Sequence, residues 1–202
     1  PLPAGFLESI QSCFSKNHSA RSTTLARQIQ REYPYHDLPF SELESICKIA
    51  LTLQVQSKEK HVKIYHSYKT PGTFYRLASG NEVLYCPPTI DTFLLGKGSI
   101  KKVYKALFFT PSHVEIVAAG IGNKTMDQEI KVLRSLHFSQ ALRVYRCSFA
   151  LPQGKRMLAL RYYNKGSLRS MRSNRQPLTV RERLFVAKDS IQSLMLMHRM
   201  HV

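Results

Sequence analysis

The chain has 202 residues, of which 43% are hydrophobic and 21% charged, values of a folded protein that exclude collagen, wholesale disorder and a disulfide-dependent miniature. Its longest uncharged stretches, such as Ala106 to Val114, run nine residues, half of the roughly 18 that a membrane-spanning helix needs, so no membrane partner is expected. Lys and Arg outnumber Asp and Glu by 30 to 13, for a formal charge of +17, which points to an anionic partner.

That charge is uneven. Residues 1–90 carry 10 bases and 7 acids, a net of +3, whereas residues 91–202 carry 20 and 6, a net of +14. The run from Lys155 to Arg183 has nine bases and one acid, Glu182; a solvated basic face and an anion-binding surface both account for it. Cys13, Cys47, Cys86 and Cys147 lie far apart with no C-x-x-C pair, which argues for reduced thiols, a cytoplasmic location and no zinc site. His137, His198 and His201 have no carboxylate or thiol at metal-ligand spacing, so no metal site is expected.

In chain order, Phe6, Ile10, Cys13 and Phe14 fall at helical spacing, and Ser22 is placed to cap a second helix carrying Leu25 and Ile29. Phe40, Leu43, Ile46, Cys47, Ala50 and Leu51 form a third apolar stripe. Val62, Ile64 and Tyr68 then alternate into Thr70-Pro71-Gly72, and Phe74, Arg76 and Ala78 return, a hairpin with a turn at its tip. Three helices and a hairpin over residues 1–80 resemble a winged helix. Reading DNA requires basic side chains on the third helix, and Lys48 is its only base, beside Glu42 and Glu44. A protein-docking module is therefore as well supported as a nucleic-acid partner bound through residues 1–80. Residues 81–91, with Asn81, Pro87-Pro88 and Asp91, read as a linker.

From residue 92 the pattern becomes chemical. Leu94-Leu95-Gly96-Lys97-Gly98-Ser99-Ile100-Lys101-Lys102-Val103 is a strand, a glycine turn able to approach phosphates, and a second strand. Val114 to Ala119 is an apolar strand; Met126 to His137 is a helix with Ile130, Leu133 and Leu136 on one face; Leu142 to Cys147 and Arg156 to Leu160 read as two further strands. Leu160 to Leu168, including Arg161, Tyr163 and Ser167, and a helix opening at Leu178 complete the series. This order resembles the amino-terminal lobe of a protein kinase of the Ser/Thr type, through the first helix of its large lobe. The resemblance implies that Leu95, Val103 and Ala118 enclose adenine and that backbone groups of Arg161 and Tyr163 pair with its edge. It further implies that Gly96 and Gly98 approach the phosphates of ATP, that Ser167 meets the ribose, and that Glu129 is the ion-pairing glutamate of the regulatory helix.

The sequence departs from that family in two ways. Val117-Ala118-Ala119 is followed by Gly120 rather than the strand lysine that grips phosphates, and no H-R-D or D-F-G string occurs. Catalytic base and magnesium ligands are therefore absent from these residues, and the resemblance implies that they follow Val202. Gly96-Lys97-Gly98-Ser99-Ile100-Lys101 is similar to the loop of the with-no-lysine kinases, which carry their lysine in this strand. Strand alternation puts Lys101 on the side of Val103, so Lys101 is expected to pair with Glu129; a solvated Lys101 on a pseudokinase is the alternative. The whole reads as an α+β chain, a winged-helix-like module ahead of a kinase-like small lobe spanning residues 92–202. The expected function is ATP binding by a kinase or pseudokinase with a protein substrate or docking partner, magnesium entering only with the missing motifs. The rival is a nucleic-acid or acidic-partner binding protein that uses the same lobe as scaffold.

Overall fold

The computed structural model describes residues 19–32, 34–55, 61–68, 70–78, 81–137, 145–164 and 178–199. Helices and antiparallel strands are mixed, an α+β architecture. The chain forms two compact units, Pro1–Lys97 with Val103–Val117, and Gly98–Lys102 with Ala118–Val202. No described helix is long and apolar enough to cross a membrane. The helix expected over residues 6–14 lies outside the described residues.

The first unit holds helices α1 (residues 19–29) and α2 (Phe40–Val55) and strands β1 (Lys63–His66), β2 (Thr73–Arg76), β3 (Val83–Cys86), β4 (Leu94–Lys97) and β5 (Lys101–Phe109), and one core joins the helices to β1, β2, β3 and β5. The strand order is β1-β2-β3-β5, with β4 also on β5. Register decides the core. Tyr65 faces Phe74, Phe74 faces Tyr85, and Tyr85 faces Leu107; directly opposed residues share a face, and this row meets Leu43, Ile46, Cys47, Ala50 and Leu51 of α2. Each fully buried aliphatic side chain contributes about 1.5–3 kcal/mol. Arg76 lies on the same face, 1% exposed, and its Nε donates to the Leu53 carbonyl at 2.7 Å. That carbonyl belongs to the last turn of α2, where intrahelical donors run out and a cation is favourable.

Three expectations change here. Residues 81–91 are not a linker: Val83-Leu84-Tyr85-Cys86 is β3, buried throughout between β2 and β5. A short continuous apolar run bounded by turn residues is how a strand buried on both faces reads. The core around α1 and α2 also takes in Val83, Tyr85, Phe93, Leu107, Phe109 and Val114, so a module closed at residue 80 would lack part of its own interior. Ser22 does not cap: it lies inside α1, fully buried, with Oγ donating to the Ser19 carbonyl at 2.8 Å. In β1 it is Tyr65 rather than Ile64 that packs on the core, because the opposed Phe74 points there.

The second unit contains the end of β6 (Val114–Gly122), α3 (Met126–His137), β7 (Tyr145–Ala150), β8 (Arg156–Arg161) and α4 (Val180–Arg199), with Lys101 and Lys102 at the start of β5. Its strand order is β5-β6-β8-β7. α3 spans the residues that its apolar spacing predicts. Met126 and Ile130 pack on Leu158 of β8, with Leu133, Tyr145 and Leu160 around them. α4 starts at a reciprocal cap: Glu182 N donates to Thr179 Oγ1 at 3.2 Å, and Thr179 N donates to Glu182 Oε2 at 2.9 Å. Leu184, Phe185, Ile191, Leu194 and Met195 of α4 are exposed.

Candidate functional site

The turn between β4 and β5 closes with the Gly98 N–H donating to the Lys101 carbonyl at 2.9 Å. β5 then alternates, leaving Lys102 exposed and Lys101 half-buried. The Lys101 Nζ donates to Glu129 Oε1 in the first turn of α3. The two side chains keep 26% and 39% of their surface, so the pair is reachable from solvent.

What lets Lys101 reach Glu129 is the absence of a side chain at Gly120 and Gly122 of β6. A Cβ at Gly120 would lie 3.3 Å from Lys101 Cδ and 3.7 Å from both Met126 Cε and the Leu158 carbonyl. The aliphatic stem of Lys101 therefore lies over the strand position where the kinase resemblance expected a lysine. Gly122 is tighter: a Cβ there would fall 2.6 Å from the Ile100 carbonyl and 3.0 Å from Lys101 Cβ, and would meet Met126 Sδ. Two glycines thus hold open the path that Lys101 follows. In the kinase resemblance Gly120 stands where a lysine is missing; the sequence signal of its positive role is the small-residue string Ala118-Ala119-Gly120-Ile121-Gly122.

The other expected residues are placed as follows. Leu95 and Gly96 are exposed on β4 and Gly98 is exposed in the turn. Val103 is half-buried on β5, and Ala118 is half-buried on β6. Arg161 ends β8 with its guanidinium 5.6 Å from the ring centroid of Tyr163, and Tyr163 is 56% exposed. Ser167 lies outside the described residues. Lys105 is buried in the first unit, where burial lowers its ammonium below the ordinary lysine value, and Tyr35 donates its hydroxyl to the Lys105 carbonyl at 2.9 Å.

Burial pushes the Cys47 and Cys86 thiols up to about 12, so neither is a thiolate at neutral pH. No three His, Cys, Asp or Glu side chains gather as metal ligands among the described residues. No known family model and no curated protein matches this chain.

One polar contact had no forewarning in the sequence. Arg156 of β8 reaches Asp127 of α3 with two bonds, Nε to Oδ1 at 2.7 Å and Nη2 to Oδ2 at 3.2 Å. The guanidinium hydrogen bonds hold the Asp127 carboxyl below the ordinary aspartate value.

Proposed function

We propose that the chain from residue 92 onward binds the phosphates of ATP in the manner of a protein-kinase small lobe, with Lys101 replacing the strand lysine of that family. One observation carries the reading: the Lys101 ammonium on Glu129 with its stem over Gly120. A lysine from the sheet held by a glutamate of the following helix is the device that kinases use to fix phosphate oxygens. Pairing restrains a long flexible side chain in advance, and its remaining N–H groups stay available to an anion. α3 directly after β6 and ahead of β7 and β8 agrees with the chain order of the resemblance. Leu95, Val103 and Ala118 for adenine, the backbone of Arg161 and Tyr163 for its edge, Gly96 and Gly98 for the phosphates, and Ser167 for ribose are assigned on the resemblance alone. With no H-R-D or D-F-G in the 202 residues, the reading is one of nucleotide binding; magnesium ligands and a catalytic base would come from outside them.

Nothing on α2 favours the nucleic-acid reading. Its single base, Lys48, sits 3.1 Å from Glu44, which also accepts from Thr23 Oγ1 at 2.7 Å.

Calorimetric titration of the chain with MgATP tests the proposal. Lys101→Met is expected to weaken binding by about 1–3 kcal/mol, the size of a lost charge-assisted contact, while Lys102→Met leaves it unchanged. Equal effects of the two substitutions, or no ATP binding by the parent, overturn it.

A further inference from the structure

The tip of the β5–β6 hairpin, within the first unit, is the turn Thr110-Pro111-Ser112-His113. Thr110 closes it: its N–H donates to the His113 carbonyl at 2.9 Å, and its Oγ1 accepts from the His113 N–H at 3.1 Å and donates to the His113 carbonyl at 3.0 Å. The Ser112 hydroxyl takes no part in that closure. Ser112 is exposed, and its Oγ stays within the turn, 2.8 Å from His113 Nδ1 and 3.3 Å from Thr110 Oγ1. Arg21 of α1 reaches the same turn, where its Nη2 donates to the Pro111 carbonyl, the group joined to the Ser112 amide nitrogen. Among the described residues no carboxylate pairs with Arg21, whereas Lys48, Lys101 and Arg156 each have one.

We propose that Ser112 is a phosphorylation site whose phosphate is captured by Arg21, fastening α1 to the hairpin tip. A separate Ser/Thr protein kinase supplies the group from ATP. Ser112 Oγ bonds to the γ-phosphorus, the bond from that phosphorus to the bridging oxygen of ADP breaks, and the hydroxyl proton passes to the base of the modifying enzyme. The product carries close to two negative charges at neutral pH and three acceptor oxygens. A guanidinium with no carboxylate partner, presenting its planar donor fork at the neighbouring carbonyl, is what such a group favours. His113 Nδ1 lies beside the same hydroxyl and is a second donor when it carries a proton. Modification costs the hydroxyl only bonds inside the turn, so the backbone stays closed. Thr110 is the poorer acceptor although Pro111 follows it, because its Oγ1 both donates to and accepts from the His113 backbone and the residue is half-buried. This site is independent of the nucleotide reading and shares none of its residues.

The test uses the full chain. Peptide mapping by mass spectrometry of the protein isolated from the cells that make it, with phosphatase inhibitors present, should find phosphate on Ser112; none there, or phosphate on Thr110 instead, overturns the proposal. The chain is then produced with phosphoserine in place of Ser112 and followed by hydrogen exchange. Amides of α1 are expected to exchange at least about threefold more slowly than in the unmodified chain. Arg21→Gln should abolish that gain, and Arg27→Gln, which removes an exposed charge elsewhere on α1, should keep it. Equal exchange with and without phosphate, a gain that survives Arg21→Gln, or an equal loss in both variants overturns the proposal. Should Arg21→Gln fail to fold, the phosphorus resonance of the modified parent decides. Capture by a cation lowers the second pKa of the phosphate by about 0.5 or more relative to the same chain in urea, and an unchanged value overturns the proposal.

Discussion

The first unit buries Tyr35, Leu43, Ile46, Ala50, Phe74 and Val83 completely, whereas the second keeps its charged pairs at half-exposed positions over a core cluster of Met126, Ile130 and Leu158. Substitutions should therefore act through cavities in the first unit and through charge geometry in the second. Filling a core fixes which face of a strand points inward, and emptiness at two glycines fixes where a lysine points. The same polypeptide uses packing for stability in one place and the absence of packing to position a lysine in the other.

Truncating the row that joins sheet and helix should be the most damaging change. Phe74→Ala, at a fully buried site, is expected to cost about 3–5 kcal/mol. Ile130→Ala, 7% exposed in the smaller cluster, should cost about 2 kcal/mol, the lower end for such a change. Urea denaturation of both variants compares the units directly, and the reverse order would break the contrast. Next, Gly122→Ala should cost about 1–3 kcal/mol by overpacking, since its new methyl would press on the Ile100 carbonyl. It should also reduce MgATP affinity by displacing Lys101, a combined loss that no substitution at an exposed lysine reproduces.

A double-mutant cycle sharpens the comparison further. Lys101→Met and Glu129→Gln should be non-additive in MgATP binding by about 0.5–3 kcal/mol, as expected of residues in contact; strict additivity would mean that the two act separately. The smallest effect is acid-dependent. Because Arg156 holds Asp127 below the ordinary aspartate value, the folded chain keeps that carboxylate charged to lower pH than the unfolded chain does. Its contribution is complete above the ordinary value and disappears as pH falls through the lowered one. The stability gap between parent and Asp127→Asn should therefore close on acidification, and added salt should narrow it at neutral pH.

Helical stripes were readable in the sequence because a 3.6-residue period is a local property: Leu43, Ile46, Cys47, Ala50 and Leu51 are buried on α2, and α3 runs from Met126 to His137. Strand faces were less readable. Ile64 looked inward by apolar character, yet Tyr65 faces the core because its partner in β2 does. β3 was hidden by its flanks, where Asn81 and Pro87-Pro88 read as punctuation on either side of four residues that a sheet could bury entirely. At Ser22 a good capping residue sits within the helix, where its hydroxyl returns to a backbone carbonyl.

By itself the sequence determined the mixture of helices and strands, the turn at Gly98, and the presence of a glutamate early in α3. The sequence also carried, through the kinase resemblance, the pairing of Lys101 with Glu129, 28 residues away; tertiary structure alone decided its route, across the bare backbone of Gly120. It alone also brought Arg21 to the turn that carries Ser112. Periodicity records which residues need burial, a property of each segment. Which charges meet depends on the strand or helix that each segment packs against, and on the side chains missing from the space between them.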